Sequence, residues 1–200
     1  DQSKDFQFFL PGYLSPSAEA KLFEELRSFP ENIDKRVYSD PVAHGDLISQ
    51  GDGLKRLLVV DLPSTRTKEG PVLVVSNSCD IDVSNRRRLP PRIMYCPILP
   101  LRRYVEWITG VIGNPEGIDG HVSDIKRQRI SSIFYLPCLN DIFPESIALL
   151  DRVNNCSLDY LYESSERRER FFSLSDYGFY LFIYKISVHL TRMQEGFERG

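Results

Sequence analysis

Paired cysteines are missing from this chain. Its four cysteines, Cys79, Cys96, Cys138 and Cys156, are spread singly with no CxxC pair, whereas a structural zinc site usually shows at least one close ligand pair. Each thiol sits in an apolar or strand-like setting, where a reduced cysteine behaves as a small hydrophobe. Cys79, Cys96 and Cys138 with His44 are the one zinc arrangement left open, and the expectation is no metal and no cofactor. A long hydrophobic run is missing too. The longest, residues 179–183, lies in a segment interrupted by Lys185 and His189, far short of the roughly 20 apolar residues that span a bilayer; no membrane partner is expected. The opening DQSKDFQFFLPGYL has neither the basic region nor the apolar stretch of a signal peptide, which leads to the expectation of a cytoplasmic protein. Nor is there a basic excess: 25 Lys and Arg against 28 Asp and Glu give a net charge of −3, so a nucleic-acid role needs a local patch. There is no internal repeat, low-complexity tract or Gly/Ser linker.

What is present fits one α+β domain with additions, since 200 residues at 42% hydrophobic and 26% charged content can bury one good core. SPSAEAKLFEELRSF predicts a helix capped by Ser15, with Pro16 in the first turn and Ala18, Leu22, Leu26 and Phe29 on one face; Pro30 stops it. Across residues 37–98, short apolar runs alternate with turn residues: GDLISQGDGLKRLLVVDLP, a loop STRTKEG, PVLVVSN and PRIMYCPIL. That spacing predicts strands of a small sheet or barrel, with STRTKEG joining two antiparallel neighbours and residues 72–75 interior. PLRRYVEWITGVI returns to helical spacing through Leu101, Tyr104, Val105, Ile108 and Ile112, ended by Gly113, Asn114 and Pro115. A loop or short helix follows, then strands in SSIFYLPCL and ESIALLD. Ser175 or Asp176 caps a last helix, apolar around most of its circumference up to Leu190. The N-terminal helix and the helix around Trp107 are expected to cover it, with any homodimer taking the remainder. The partition is residues 1–34 as an N-terminal helical extension and residues 35–200 as the main domain.

Residues 71–82, PVLVVSNSCDID, pose the functional question, because an apolar run ends there in hydroxyl, thiol and carboxylate groups. Metal-free RNA cleavage needs an acceptor for the 2′-hydroxyl, a donor for the leaving oxygen and a cation for the phosphorane. Asp80 or Asp82 can serve as the first, Ser76 or Ser78 as the second, and Arg66 or an arginine from residues 86–92 as the third. The same residue types also build ordinary strand-end turns. Arg86, Arg87, Arg88, Arg92, Arg102 and Arg103 put six positive charges within eighteen residues. They suggest a phosphate-tracking groove, with Tyr95, Tyr104 and Trp107 available for stacking. Lys126, Arg127 and Arg129, and again Arg167, Arg168 and Arg170, are interleaved with acids or glutamine and read as surface. His189 shares a helix face with Lys185 and Arg192, as a core-edge histidine or a general acid. His44 and His121 lie in glycine-flanked loops, and Cys79 needs a neighbouring histidine to act as a nucleophile.

The order of segments over residues 46–100, a QGD turn, a PVLVVSN strand and a YCPIL strand, resembles the PemK/MazF group of growth-inhibitor toxins; the last helix is a looser match. The resemblance implies a small SH3-like β-barrel of five to seven strands, here with N-terminal, central and C-terminal helices. It also implies metal-independent cleavage of single-stranded RNA, a homodimer and an antitoxin-like protein partner. In that group an arginine precedes the first strand and a serine or threonine follows the second. Here Gly70 precedes Pro71 and Leu99 follows Ile98, and Arg66 is the arginine four positions earlier. The expectation is a toxin-like or defence-type endoribonuclease with Ser76, Asp80 and Arg66 as catalytic residues and the six arginines of residues 86–103 on nucleic acid. The alternative is a binding module, for protein or nucleic acid, that keeps the barrel and has lost the chemistry.

Overall fold

A computed structural model describes residues 16–27, 29, 33–39, 47–85, 88–112 and 117–191. Ser15, Pro30, His44, Arg86, Arg87, Arg192 and the helix stop at residues 113–115 lie outside the described residues. The sheet is built around β3 (Arg66–Val74), whose apolar end is paired on both edges. β2 (Gly53–Asp61) lies on one side with Leu54 opposite Val72 and Gly53 opposite Leu73. β4 (Arg92–Pro100) lies on the other, with Cys96 opposite Leu73 and Tyr95 opposite Val74. Such a strand buries both faces, which is why its sequence is a continuous apolar run rather than an alternating one. The loop read in STRTKEG is shorter than expected. The turn is residues 62–65, and Arg66 to Gly70 already pair with β2. The sequence shows no alternation there because both faces of that end of the hairpin meet water.

β4 is long enough to take two partners on one edge. Its first half pairs with β7 (Asn154–Ser157), and its last residues pair with β6 (Ser146–Leu149), which pairs in turn with β5 (Ile133–Leu136). On the far side β2 pairs with β8 (Arg170–Leu174), and β8 with β1 (Tyr38–Ser39). The result is an α+β fold on an open antiparallel sheet of eight strands, in the order β1-β8-β2-β3-β4-β6-β5 with β7 beside β4. Two side chains draw its middle into a curl. The Tyr95 hydroxyl donates to the Leu58 carbonyl at 2.6 Å, and Asn154 Oδ1 accepts the Val60 amide at 2.8 Å. Inside that curl lie Leu54, Leu57, Val72, Val74 and Ile93. At the other end, Gln128, at φ +56°, turns its amide onto β5, accepting from Tyr135 N at 3.1 Å and donating to Tyr135 O at 2.8 Å. Those bonds satisfy backbone groups that an edge strand otherwise leaves open.

The helices attach to opposite faces. α6 (Asp176–Thr191) buries Tyr177, Leu181 and Phe182 against Phe134 and Phe172 of the sheet, and α1 (Pro16–Arg27) adds Leu22 to the same cluster. A 3-10 turn at Lys35–Val37 presses on α6 so closely that a Cβ on Gly178 would stand 2.1 Å from the Val37 carbonyl oxygen. α3 (Leu101–Ile112) does not cover α6 as expected. It leaves directly from the end of β4 and packs Leu101 with Ile125 of α4 (Ile118–Lys126), Ile133 and Ile147 in a third cluster, leaving Trp107 55% exposed. α2 (Ser78–Ile81) and α5 (Leu158–Tyr162) are short helices flanking the curl. No helix among the described residues is long and apolar enough to cross a membrane.

Candidate functional site

The polar knot after β3 is a turn and the wall of a recess at once. Past Val74, the Val75 and Ser76 amides both donate to the Met94 carbonyl, at 2.8 and 3.2 Å. Ser76 Oγ accepts the Met94 amide at 2.7 Å, so this 3% exposed side chain extends the pairing between β3 and β4. Asn77 Oδ1 caps α2 through the Cys79 amide at 2.9 Å, and Ile81 anchors the short helix in the curl.

The QGD turn locks this knot from the other side. Gln50 N donates to Ser78 Oγ at 2.9 Å, and Gln50 Nε2 to the Val75 carbonyl at 2.7 Å. Gly51, at φ +86°, donates to the Val74 carbonyl, a conformation that glycine adopts without a steric penalty. The Asp52 carboxylate is fully buried and satisfied by the Ser49 amide at 2.7 Å, the Ser173 hydroxyl and Arg170 Nη1 at 3.3 Å. Arg170, read from sequence as surface, therefore turns its side chain inward to a buried carboxylate.

What remains open beside the knot is a recess of about 310 Å³ lined by Ser76, Asp80, Pro91, Arg92, Met94 and Asn155. Met94 and Asn155 are directly paired across β4 and β7. This register lets Arg92 Nε donate to Asn155 Oδ1 at 2.6 Å. A guanidinium held through Nε keeps its two terminal nitrogens in a fixed fork, the geometry that matches phosphate or carboxylate oxygens. Asp82 does not line the recess. Its carboxyl is held below the usual carboxylate range by the Ser84 amide, which it caps at 2.8 Å.

Ser76, Asp80 and Arg92 thus come together, and Arg66 does not join them. Arg66 opens β3 in an ion pair with Asp61 at 3.4 Å, while Ser76 follows the strand's other end. Nine strand residues at about 3.3 Å each separate those ends by up to roughly 26 Å. The arginines divide in the same way. Arg88 and Arg92 stand at the start of β4, and Arg102 and Arg103 follow its last residue, another nine-residue strand away. Tyr95 is buried under the curl and Tyr104 donates to or accepts from His121 Nε2 at 2.9 Å, which leaves Trp107 as the open aromatic of the three. Arg167 and Arg168 lie over the rings of Tyr160 and Tyr162, at 3.6 and 5.0 Å.

Asn155 is the site residue that sequence reasoning missed; NNCS carries a turn-like composition, and only its pairing with β4 makes it a strand. Cys79 and Cys138 are exposed and Cys96 is fully buried, its thiol pushed up to about 12 by burial. Among the described residues no group of three His, Cys, Asp or Glu side chains converges to hold a metal. No protein-family model and no curated protein matches the chain.

Proposed function

We propose that the protein is a binding module for single-stranded RNA, holding a backbone phosphate in the recess at the end of β3 without cutting the strand. The observation that carries this is the Arg92 guanidinium, fixed by Asn155 and open at its fork. A phosphate oxygen pair fits that fork, and the exposed Met94 beside it offers an apolar wall to a sugar or base. Retained binding without chemistry follows from the other members of the expected trio. Ser76 has its oxygen committed to the Met94 amide and is buried, and Arg66 sits at the hairpin tip.

A second reading, metal-independent cleavage with Asp80 as the base and Arg92 as the cation, is favoured by one observation: both line the same recess. We further propose that β2, β3, β4 and β7 correspond to the SH3-like barrel of the PemK/MazF group. The closure of the curl by Asn154 and Tyr95 supports that likeness. On that likeness an antitoxin-like partner, a homodimer and a cytoplasmic setting belong to the proposal as well.

Fluorescence anisotropy with labelled oligouridine at low salt, run alongside a cleavage gel, tests both readings. Binding without cleavage is expected, with Arg92→Ala weakening it about tenfold and lowering the salt slope by about one, as for loss of a single phosphate contact. Absence of binding at low salt sinks the proposal. Cleavage abolished by Asp80→Asn would establish the second reading in its place.

A further inference from the structure

At the opposite end of β4 the chain passes from Pro100 straight into α3, and a second recess of about 480 Å³ opens there, lined by Pro100, Arg102, Arg103, Glu106, Pro144 and Glu145. Its charges are matched with one exception. Arg102 Nε pairs with Glu106 at 2.9 Å. Glu145 takes Lys126 Nζ at 2.8 Å and the Tyr135 hydroxyl. Arg103 has no hydrogen bond or ion pair to any described residue. Glu106 is paired by Arg102 and Glu145 by Lys126, which stands outside the lining, so the one surplus positive charge is the Arg103 guanidinium, free to take an anion.

One helical turn after Arg103 stands Trp107, the only tryptophan in the chain and more than half exposed. Side chains on a helix lean back toward its N-terminus, over the preceding turn. The indole does so here, with its ring centre 6.1 Å from that of Tyr104. Tyr104 is itself fixed by His121, so the indole rests on a rigid support, more than half exposed and one helical turn from the recess-lining Arg103. An unpaired guanidinium, a recess large enough for a small organic ligand and an adjacent aromatic platform match a molecule that carries an anionic group and a flat ring at its two ends.

We propose that this recess is a nucleotide site, with the phosphate on Arg103 and the base stacked on Trp107. It is separate from the Arg92 recess by the length of β4 and does not depend on the RNA reading. A free mononucleotide and one nucleotide of an RNA strand share this chemistry, and the site is assigned to the free form because its surplus is a single charge in an isolated recess rather than a track of cations.

Because Trp107 is the sole tryptophan, its fluorescence reports on this site alone. The full chain is titrated with AMP, UMP, inorganic phosphate, adenosine and a ten-residue oligouridine. AMP and UMP should quench saturably, and phosphate or adenosine at the same concentrations should not. Arg103→Ala should raise the AMP concentration needed at least tenfold with an unchanged circular-dichroism spectrum, and Arg92→Ala should leave the AMP curve in place. Calorimetry on Trp107→Phe should show weakened AMP binding, which keeps the test independent of the fluorophore. Unaltered fluorescence at millimolar AMP, equal quenching in Arg103→Ala, or quenching by oligouridine alone that Arg92→Ala removes would each overturn the proposal; the last would assign Trp107 to the RNA strand instead.

Discussion

Asp52 and Arg170 meet at 3.3 Å with only 1% and 10% of their side chains exposed, joining the QGD turn to β8 across 118 positions of sequence. The pair lies beneath the segment that fixes Ser78 and Val75, so it supports the recess without touching it. Removing one partner of a buried pair leaves an uncompensated charge out of water, a loss of about 3–5 kcal/mol. Arg170→Met should therefore lower the stability of the folded chain by that amount in urea unfolding. A loss under about 1 kcal/mol, the range of surface pairs, would show that water reaches Asp52.

Arg66 supplies the contrasting case. Its partner Asp61 and its own side chain are mostly exposed, and such pairs contribute about 0–1 kcal/mol. Arg66→Ala should leave both stability and oligouridine affinity close to those of the parent protein. A tenfold drop in affinity from this substitution alone would mean that the hairpin folds over the recess when RNA binds.

Much of the fold is legible in the sequence where one element owns its apolar pattern. PVLVVSN marks the second half of β3 because both faces of that half are buried, and the helical spacing of Leu101, Tyr104, Val105 and Ile108 marks α3. β7 was not legible, because Asn154, Asn155 and Ser157 become a strand only through hydrogen bonds to residues some 60 positions away. Arg170 reads as surface among its charged neighbours, since nothing local reveals the carboxylate it meets. The six arginines read as one patch because they are close in sequence. A strand carries the chain about 3.3 Å per residue, and the nine residues of β4 place Arg92 and Arg103 at different ends of it. The candidate site was half legible: Ser76, Asp80 and Arg92 share a recess, while Asn155 and the distance of Arg66 emerge only from pairing.

Gly178 tests the contact between α6 and the 3-10 turn at Lys35–Val37. A methyl group there would overlap the Val37 carbonyl oxygen at 2.1 Å, and that carbonyl is held in place by the Ser175 amide at 2.9 Å. The backbone cannot yield without losing this hydrogen bond, so Gly178→Ala should destabilise by about 3 kcal/mol through overpacking despite alanine's better helix propensity. Thermal unfolding checks it. An equal or higher melting temperature in the variant would mean that the turn can move off the helix.

Lys185 gives the protein a pH response on the alkaline side. It lies on α6 with 5% of its surface exposed, donates to the Gln128 carbonyl, and has no carboxylate paired with it among the described residues. Taking the ammonium out of water pulls its pKa down to about 8. In the unfolded chain the group titrates near its ordinary value of about 10.4. Below pH 8 the amine is charged in both states, and folding bears the full desolvation penalty. Between about pH 8 and 10.4 the unfolded chain holds the proton more often than the folded one, so this group makes stability rise with pH across that window, by about 3 kcal/mol at most. Tyr38, Tyr95 and Tyr135 are raised by burial and act in the opposite direction at higher pH. They are common to parent and variant, so the difference between the parent protein and Lys185→Met isolates the lysine. Urea unfolding from pH 7 to 10 should show the parent gaining stability relative to the variant as pH rises through 8. A constant difference over that range would place the Lys185 ammonium in water.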